Sequence, residues 1–357
     1  MPELGALRAV LDALGAAWID PPVLQPAELY LELSGEDLRR RAFLIADEEG
    51  EEHCLRPDMT VPALTAALGQ GLRNGVIAYE GLVFRRQAEG SARESEFVQI
   101  GAEWLGASDD AAIVAAALAC CEAAGAAPLL RLGDIALVEG FIDACGLHPL
   151  WRARVRLALM RPDGLARVAA EAAAMGDARG ALADVDNEAA LADHLASMNI
   201  AAIGTRPLSE IAARLERKRA LARASKPTDA QLDALAQLIG IEAVCGPALM
   251  QISALTAHGG FADAALARAA LEKADAHVSA IAAAAPLPQE TRFAPGLGRG
   301  LAYYDGFIFE LEAPTLGARA SLGGGGRYDA LVKRLSGEDI AGAGFAVRPR
   351  RLIEARA

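Results

Sequence analysis

Apolar positions along this chain follow two periods, and each period predicts an element. Leu7, Leu11 and Leu14 stand at i, i+4 and i+7, the spacing of an amphipathic helix, and Gly15 follows where a helix stop belongs. The next segment, Asp20-Pro21-Pro22-Val23-Leu24-Gln25-Pro26, cannot continue a helix because proline fixes φ and restricts the residue before it. Between 43 and 57 the apolar residues are interrupted by Asp47-Glu48-Glu49-Gly50, which predicts a hairpin with an acidic turn. Leu64 and Leu68 resume helical spacing. Two strands are expected at 76–84 and 96–100, joined by a polar loop over 87–95. Ser108 reads as the N-cap of an alanine-rich helix that runs to Gly125, with Asp109 and Asp110 facing the positive end of its dipole.

From 151 to about 290 the pattern changes: alanine dominates, strand formers thin out and helical spacing recurs. Thr228-x-x-Gln231 is a capping-box pattern, followed by Leu232, Leu235 and Ile239 on one face and Gly240 just past the end. The expected organisation is therefore a core formed by 1–150 and 291–357, with 151–290 as a mainly helical insertion. Strands return at 306–312 and 340–347.

Composition narrows the class. At 357 residues and 53% hydrophobic, the chain can bury a full core. A formal net charge of -12 argues against a surface built for nucleic acid, since phosphates are gripped by clustered lysine and arginine. Cys54, Cys120, Cys121, Cys145 and Cys245 show no metal-ligand or redox spacing and read as reduced thiols of a cytoplasmic protein. No signal peptide is visible at the N-terminus, and no apolar run approaches the roughly 18 residues of a membrane span. No cofactor or metal is expected.

The candidate chemistry sits on the two strands. Tyr79-Glu80-Gly81-Leu82-Val83-Phe84-Arg85 places an arginine at the end of an apolar run, and Phe97-Val98-Gln99-Ile100-Gly101-Ala102-Glu103 lays two polar side chains on a second. An amino acid is gripped through its ammonium, for which Asp58 and Gln99 are suitable acceptors, and through its carboxylate, for which Arg85 or Arg299 offers a planar donor fork. A neutral imidazole would take an acceptor such as Glu103 and aromatic walls such as Tyr303, Tyr304 or Tyr328. Together these residues describe a pocket for free histidine.

This layout resembles motif 2 of the class II aminoacyl-tRNA synthetases, in their histidyl branch. Three more segments extend the resemblance in the family's order. Leu55-Arg56-Pro57-Asp58-Met59-Thr60 is similar to its Leu-Arg-Pro-Glu-x-Thr, Gly298-Arg299-Gly300-Leu301-Ala302-Tyr303-Tyr304 to its histidine-specific segment, and Gly324-Gly325-Gly326-Arg327-Tyr328-Asp329 with Gly344-Phe345-Ala346-Val347 and Arg351 to its Gly-Gly-Arg-Tyr-Asp and motif 3. The resemblance implies an α+β fold with a mixed, mainly antiparallel sheet flanked by helices. It also implies that Asp58, Thr60, Arg85, Gln99, Glu103, Arg299, Tyr303 and Tyr304 bind histidine.

The departures decide which branch is meant. Gln87 stands where the family has glutamate, Ser95 where it has a second arginine, Ala302 where it has aspartate, and Arg348 and Arg350 where it has small and acidic residues. Losing one preorganised charge can cost about 3 kcal/mol of transition-state stabilisation, so several losses in one site predict that adenylation is absent. The chain ends soon after the last matched segment, so no anticodon-binding domain is expected, and with it no tRNA partner. An aspartate in Leu-Arg-Pro-Asp-Met-Thr fits the regulatory subunits of ATP phosphoribosyltransferase better than true synthetases. That resemblance implies a subunit with no catalysis of its own, activating a short-form catalytic subunit and mediating feedback inhibition by histidine at the first step of histidine biosynthesis. A homodimer within a hetero-oligomer, paired through the poorly matched region 19–31, is expected by resemblance. The rival is a tRNA-independent enzyme of the histidyl branch that activates an amino acid.

Other features carry plainer readings. Gly323-Gly324-Gly325-Gly326 reads as a strand-turn requirement and not as a phosphate cradle. Arg214, Arg217, Lys218, Arg219, Arg223 and Lys226 read as a solvated helix face. His53, His148, His194, His258 and His277 fall in none of the matched segments and pair with no nucleophile or metal-ligand set.

Overall fold

The structure is a computed structural model and describes residues 2–28, 30, 41–87, 90–91, 94–106, 109–159, 161, 163–175, 188–197, 208–258, 260–298, 303–317 and 320–356. The chain divides into two compact units, one formed by Met1–Val138, Leu238–Ala254 and Ala269–Ala357 and the other by Glu139–Gln237 and Leu255–Arg268.

The first unit is built on a nine-stranded sheet. Its strands are β1 (Ala17–Trp18), β5 (Gly75–Phe84), β6 (Glu96–Leu105), β7 (Leu129–Asp134), β8 (Ala243–Val244), β9 (Arg292–Phe293), β10 (Phe307–Glu312), β11 (Ser321–Arg327) and β12 (Gly342–Val347). Their order across the sheet is β1-β5-β6-β12-β11-β10-β7-β9-β8. Only the β1–β5 and β7–β9 pairs are parallel; the rest are antiparallel. A small antiparallel sheet holds β2 (Leu24–Pro26), β3 (Leu44–Ala46) and β4 (Glu52–Leu55) in the order β2-β4-β3. The acidic turn expected between β3 and β4 is present: Asp47 Oδ1 accepts from the Glu51 N–H at 2.8 Å, and Gly50 supplies a positive φ of 87°. β8 lies within the interval expected to be helical.

Helices flank this sheet. The first, Pro2–Ala13, buries Leu7 and Leu11 and stops where Gly15 adopts φ 68°. The helix Asp110–Ala123 is capped one residue later than the pattern suggests, by Asp109, whose side chain accepts from the Ala111 N–H at 2.9 Å. Ser108 lies outside the described residues. One buried cluster joins Met59, Val61, Leu64, Ile77, Tyr79, Val83, Tyr303, Tyr328, Leu331 and Val332. Each buried side chain of Leu, Ile or Val size contributes roughly 1.5–3 kcal/mol.

The glycine run corrects the turn reading. Gly323, Gly324, Gly325 and Gly326 lie inside β11, between β10 and β12. A Cβ on Gly324 would come within 2.6 Å of Phe309 O and one on Gly326 within 2.5 Å of Phe307 O. Backbone approach, not a bend, requires glycine here.

A charged cluster in this unit forms around His277, on the part of the long helix Ala264–Ala284 that follows Arg268. The His277 Nε2 lies 2.5 Å from Asp110 Oδ2 and its Nδ1 3.8 Å from Asp134 Oδ2, while Arg327 Nη2 donates to Asp110 Oδ1 at 2.7 Å. The Asp110 and Asp134 partners push the imidazole up to about 9, against burial. Burial would raise Asp110, yet hydrogen bonds from His277 and Arg327 hold it below the usual carboxylate range.

The second unit is helical among its described residues. Pro149–Leu159 buries Trp151, Val155 and Leu159, and Gly164–Ala174 buries Leu165, Val168 and Ala172. The capping box forms as expected: Gln231 N–H donates to Thr228 Oγ1 at 3.2 Å, and Thr228 N–H donates to Gln231 Oε1 at 2.8 Å. No helix among the described residues is long and apolar enough to cross a membrane.

Candidate functional site

A cleft of about 1050 Å3 opens on the large sheet, at the upper end of the size expected for a small-molecule pocket. Its floor is the glycine strand: Gly323, Gly324 and Gly325 line it together with Ala346 of β12 and Ile308, Phe309 and Glu310 of β10. The absence of side chains along β11 leaves room that any larger residue would fill.

One wall comes from β6. Side chains two apart share a face of a strand, so Phe97 and Gln99 line the cleft together. Gln99 is 8% exposed, and its Oε1 has no hydrogen-bond partner among the described residues. A buried, unused acceptor facing a cavity is costly unless a donor enters. Asp58 and Thr60 reach the same space from the turn that opens the helix Thr60–Gly69. Asp58 Oδ1 accepts from the Val61 N–H at 3.2 Å. Burial raises the Asp58 carboxyl, and Arg85 opposes the rise. Arg85 is held by Nε donation to Pro57 O at 2.7 Å. Burial lowers its guanidinium while Asp58 supports the charge. Buried Asp58 and half-buried Arg85 thus stabilise each other's charge across one wall without a direct ion pair.

The aromatic corner is Tyr303 and Tyr304, with ring centroids 4.8 Å apart. Tyr328 meets both, at 6.0 and 6.2 Å. Glu103 stands behind this corner and is not among the lining residues. It is fully buried and accepts from Tyr79 OH at 2.7 Å and from the Tyr328 hydroxyl. Burial pushes its carboxyl up to about 7, against the pull of those two hydroxyls.

Of the eight residues expected to bind, Asp58, Thr60, Arg85, Gln99, Tyr303 and Tyr304 line one cleft. Glu103 supports it from behind, and Arg299 lies outside the described residues. The cleft also carries Arg41, Arg86, Arg131, Arg348 and Arg351 against the carboxylates of Asp58, Glu94 and Glu310. A concave surface with surplus cations draws anionic groups even in an acidic protein. Arg131 is itself tied to Glu242 at 2.9 Å, Glu310 at 3.5 Å and Glu312 at 3.0 Å.

Comparison with known proteins places this geometry in a lineage. The family model for histidyl-tRNA synthetase matches residues 4–242 and 205–352. An ATP phosphoribosyltransferase regulatory subunit from Brucella anthropi is 35% identical over 370 residues, covering 97% of this chain and 95% of the relative. The regulatory subunit from Brucella ovis is 36% identical over 381 residues, covering 98% and 96%. The chain belongs to the ATP phosphoribosyltransferase regulatory subunit family. Among solved structures, an ATP phosphoribosyltransferase regulatory subunit/histidyl-tRNA synthetase from Bacillus halodurans superposes with TM-score 0.62 at 21% identity, over 100% of this chain and 78% of that one. A histidine–tRNA ligase subunit from Alicyclobacillus acidocaldarius gives 0.62 at 22%, over 99% and 91%. The class II synthetase-like fold read from the motifs is therefore the fold of this family member.

Several lining residues were missed as site candidates, Phe97, Arg131 and Glu310 among them. Phe97 was within reach of the pattern, because it precedes Gln99 by two on the same strand. Arg131 shows only as a charged residue inside the apolar run Leu129–Asp134, a weaker signal that a buried partner awaits it. Glu310 carries no local signal.

Proposed function

We propose that this chain is a non-catalytic regulatory subunit of an ATP phosphoribosyltransferase. In this reading it binds free histidine in the cleft, activates a short-form catalytic subunit and transmits feedback inhibition at the first step of histidine biosynthesis. The observation that carries the reading is the convergence of Asp58, Thr60, Arg85, Gln99, Tyr303 and Tyr304 on one cavity in a chain whose relatives are regulatory subunits along nearly their whole length. The histidine ammonium meets Asp58 and the unused Oε1 of Gln99, its carboxylate meets Arg85, and its ring stands against Tyr303 and Tyr304. Glu103 holds the tyrosine corner from behind.

Regulation requires that histidine bind two quaternary states with different affinity, since a ligand with equal affinity for both shifts nothing. Calorimetry with histidine on the isolated chain, and again with the catalytic subunit, tests the cleft assignment. Binding to the isolated chain that weakens at least tenfold in Gln99→Ala supports it; binding that appears only with the partner present refutes it. Activation is tested by co-purification with a short-form catalytic subunit and assay with and without histidine. Pyrophosphate exchange with ATP and histidine by this chain alone would refute the non-catalytic reading.

A further inference from the structure

The Arg348 guanidinium lies over the Phe97 ring, 4.2 Å from its centroid, and both residues line the cleft. We propose that Arg348 is a specificity-determining residue: it occupies the face of Phe97 that would otherwise stack a planar heteroaromatic base, and so closes that end of the cleft to such ligands. With the guanidinium carbon 4.2 Å from the ring centroid, no room remains between them for a stacked base. Arg85 stands 5.3 Å from the same ring, so the ring is already served by cations. Backbone geometry fixes where the plug starts. Arg348 N–H donates to Leu322 O at 2.8 Å, and the residue caps the helix Pro349–Glu354 with φ -106° and ψ 101°. That is extended backbone any residue adopts, so a guanidinium is present here for its side chain and not for the turn. With it in place, the Phe97 end of the cleft is a cationic surface on a covered ring. The end formed by Asp58, Gln99, Tyr303 and Tyr304 stays available.

The inference goes beyond the proposed function and does not need histidine to bind. Adenosine is the probe, because it presents a neutral fused heteroaromatic ring without phosphate charge. Titration calorimetry of the whole chain compares the unmodified protein, Arg348→Gly, and Arg348→Gly combined with Phe97→Leu, with near-ultraviolet circular dichroism as the fold control. Arg348→Gly is expected to bind adenosine at least tenfold more tightly than the unmodified chain, and the second substitution to abolish the gain. Equal affinity for the unmodified chain and a natively folded Arg348→Gly overturns the proposal, as does a gain that survives loss of the Phe97 ring. Arg348→Ala provides the same comparison if glycine disturbs the helix start. Micromolar adenosine binding by the unmodified chain overturns it without any variant. Failure to bind histidine leaves all these comparisons intact.

Discussion

Replacing Glu103 by glutamine isolates the electrostatic strain behind the cleft. The carboxyl is fully buried and accepts from two tyrosine hydroxyls, and burial raises it from 4.5 to about 7. Because the folded-state value is the higher one, the folded protein holds the proton more tightly than the unfolded chain. Its contribution favours folding below pH 4.5 and is lost as pH rises from there through about 7. That interval corresponds to about 3 kcal/mol, since each pH unit is worth about 1.4. Glutamine keeps an acceptor for one hydroxyl and can donate to the other, but it cannot ionise. Urea denaturation of wild type and Glu103→Gln, between about pH 4.5 and pH 8, reads the difference directly. The stability gap between the two proteins is expected to move by about 3 kcal/mol in favour of the variant as pH rises. Parallel pH profiles would refute the reasoning, because they would mean that Glu103 is not desolvated in solution.

The other ion cluster titrates further up the scale. His277 is raised from 6.5 to about 9 by Asp110 and Asp134, so its stabilisation is complete below pH 6.5 and disappears as pH rises through 9. With its side chain 31% exposed, His277→Ala should cost about 1 kcal/mol more at neutral pH than near pH 10, where only the packing and neutral hydrogen bond are lost, as read by denaturation midpoints at both. Gly344→Ala puts a Cβ onto Glu103 Oε2 and within 2.6 Å of Ala102 O. A cost of about 3 kcal/mol should lower the melting temperature, and an unchanged melt would show that β6 and β12 are not packed this closely. Thr228→Ala removes one half of the capping box and should cost about 1 kcal/mol, visible as faster amide exchange in the first turn of the helix Asp229–Gly240.

Local pattern carried the elements whose signal is local. The helix Pro2–Ala13, the hairpin around Gly50 and the two long strands that begin at Gly75 and Glu96 follow from residue spacing, turn chemistry and β-propensity, each decided within a few residues. The strand from Glu96 runs to Leu105, past its expected end. Continuation comes from pairing with β5 and β12 on both sides, which no window of sequence contains. β11 escaped for the same reason: four consecutive glycines have almost no strand propensity, and only the backbones of β10 and β12 pressing from either side make glycine the residue that fits.

Six of the eight residues expected to bind line one cleft, and they could be placed together in advance because motif resemblance preserves their order. What resemblance could not supply is depth. Gln99 and Glu103 look equivalent on one strand face, yet Gln99 lines the cleft while Tyr79 and Tyr328 cover Glu103. Burial is a property of what packs on top, and Tyr328 arrives from 225 residues away. His277 shows the limit most clearly. Nothing in its own helix marks it, and its meaning comes from two aspartates brought to it by a different helix and by β7. The order of residues thus determined the periodicities, the caps and the family. The tertiary structure alone decided which polar groups lose water, because desolvation and charge pairing depend on distance in space and are blind to distance along the chain.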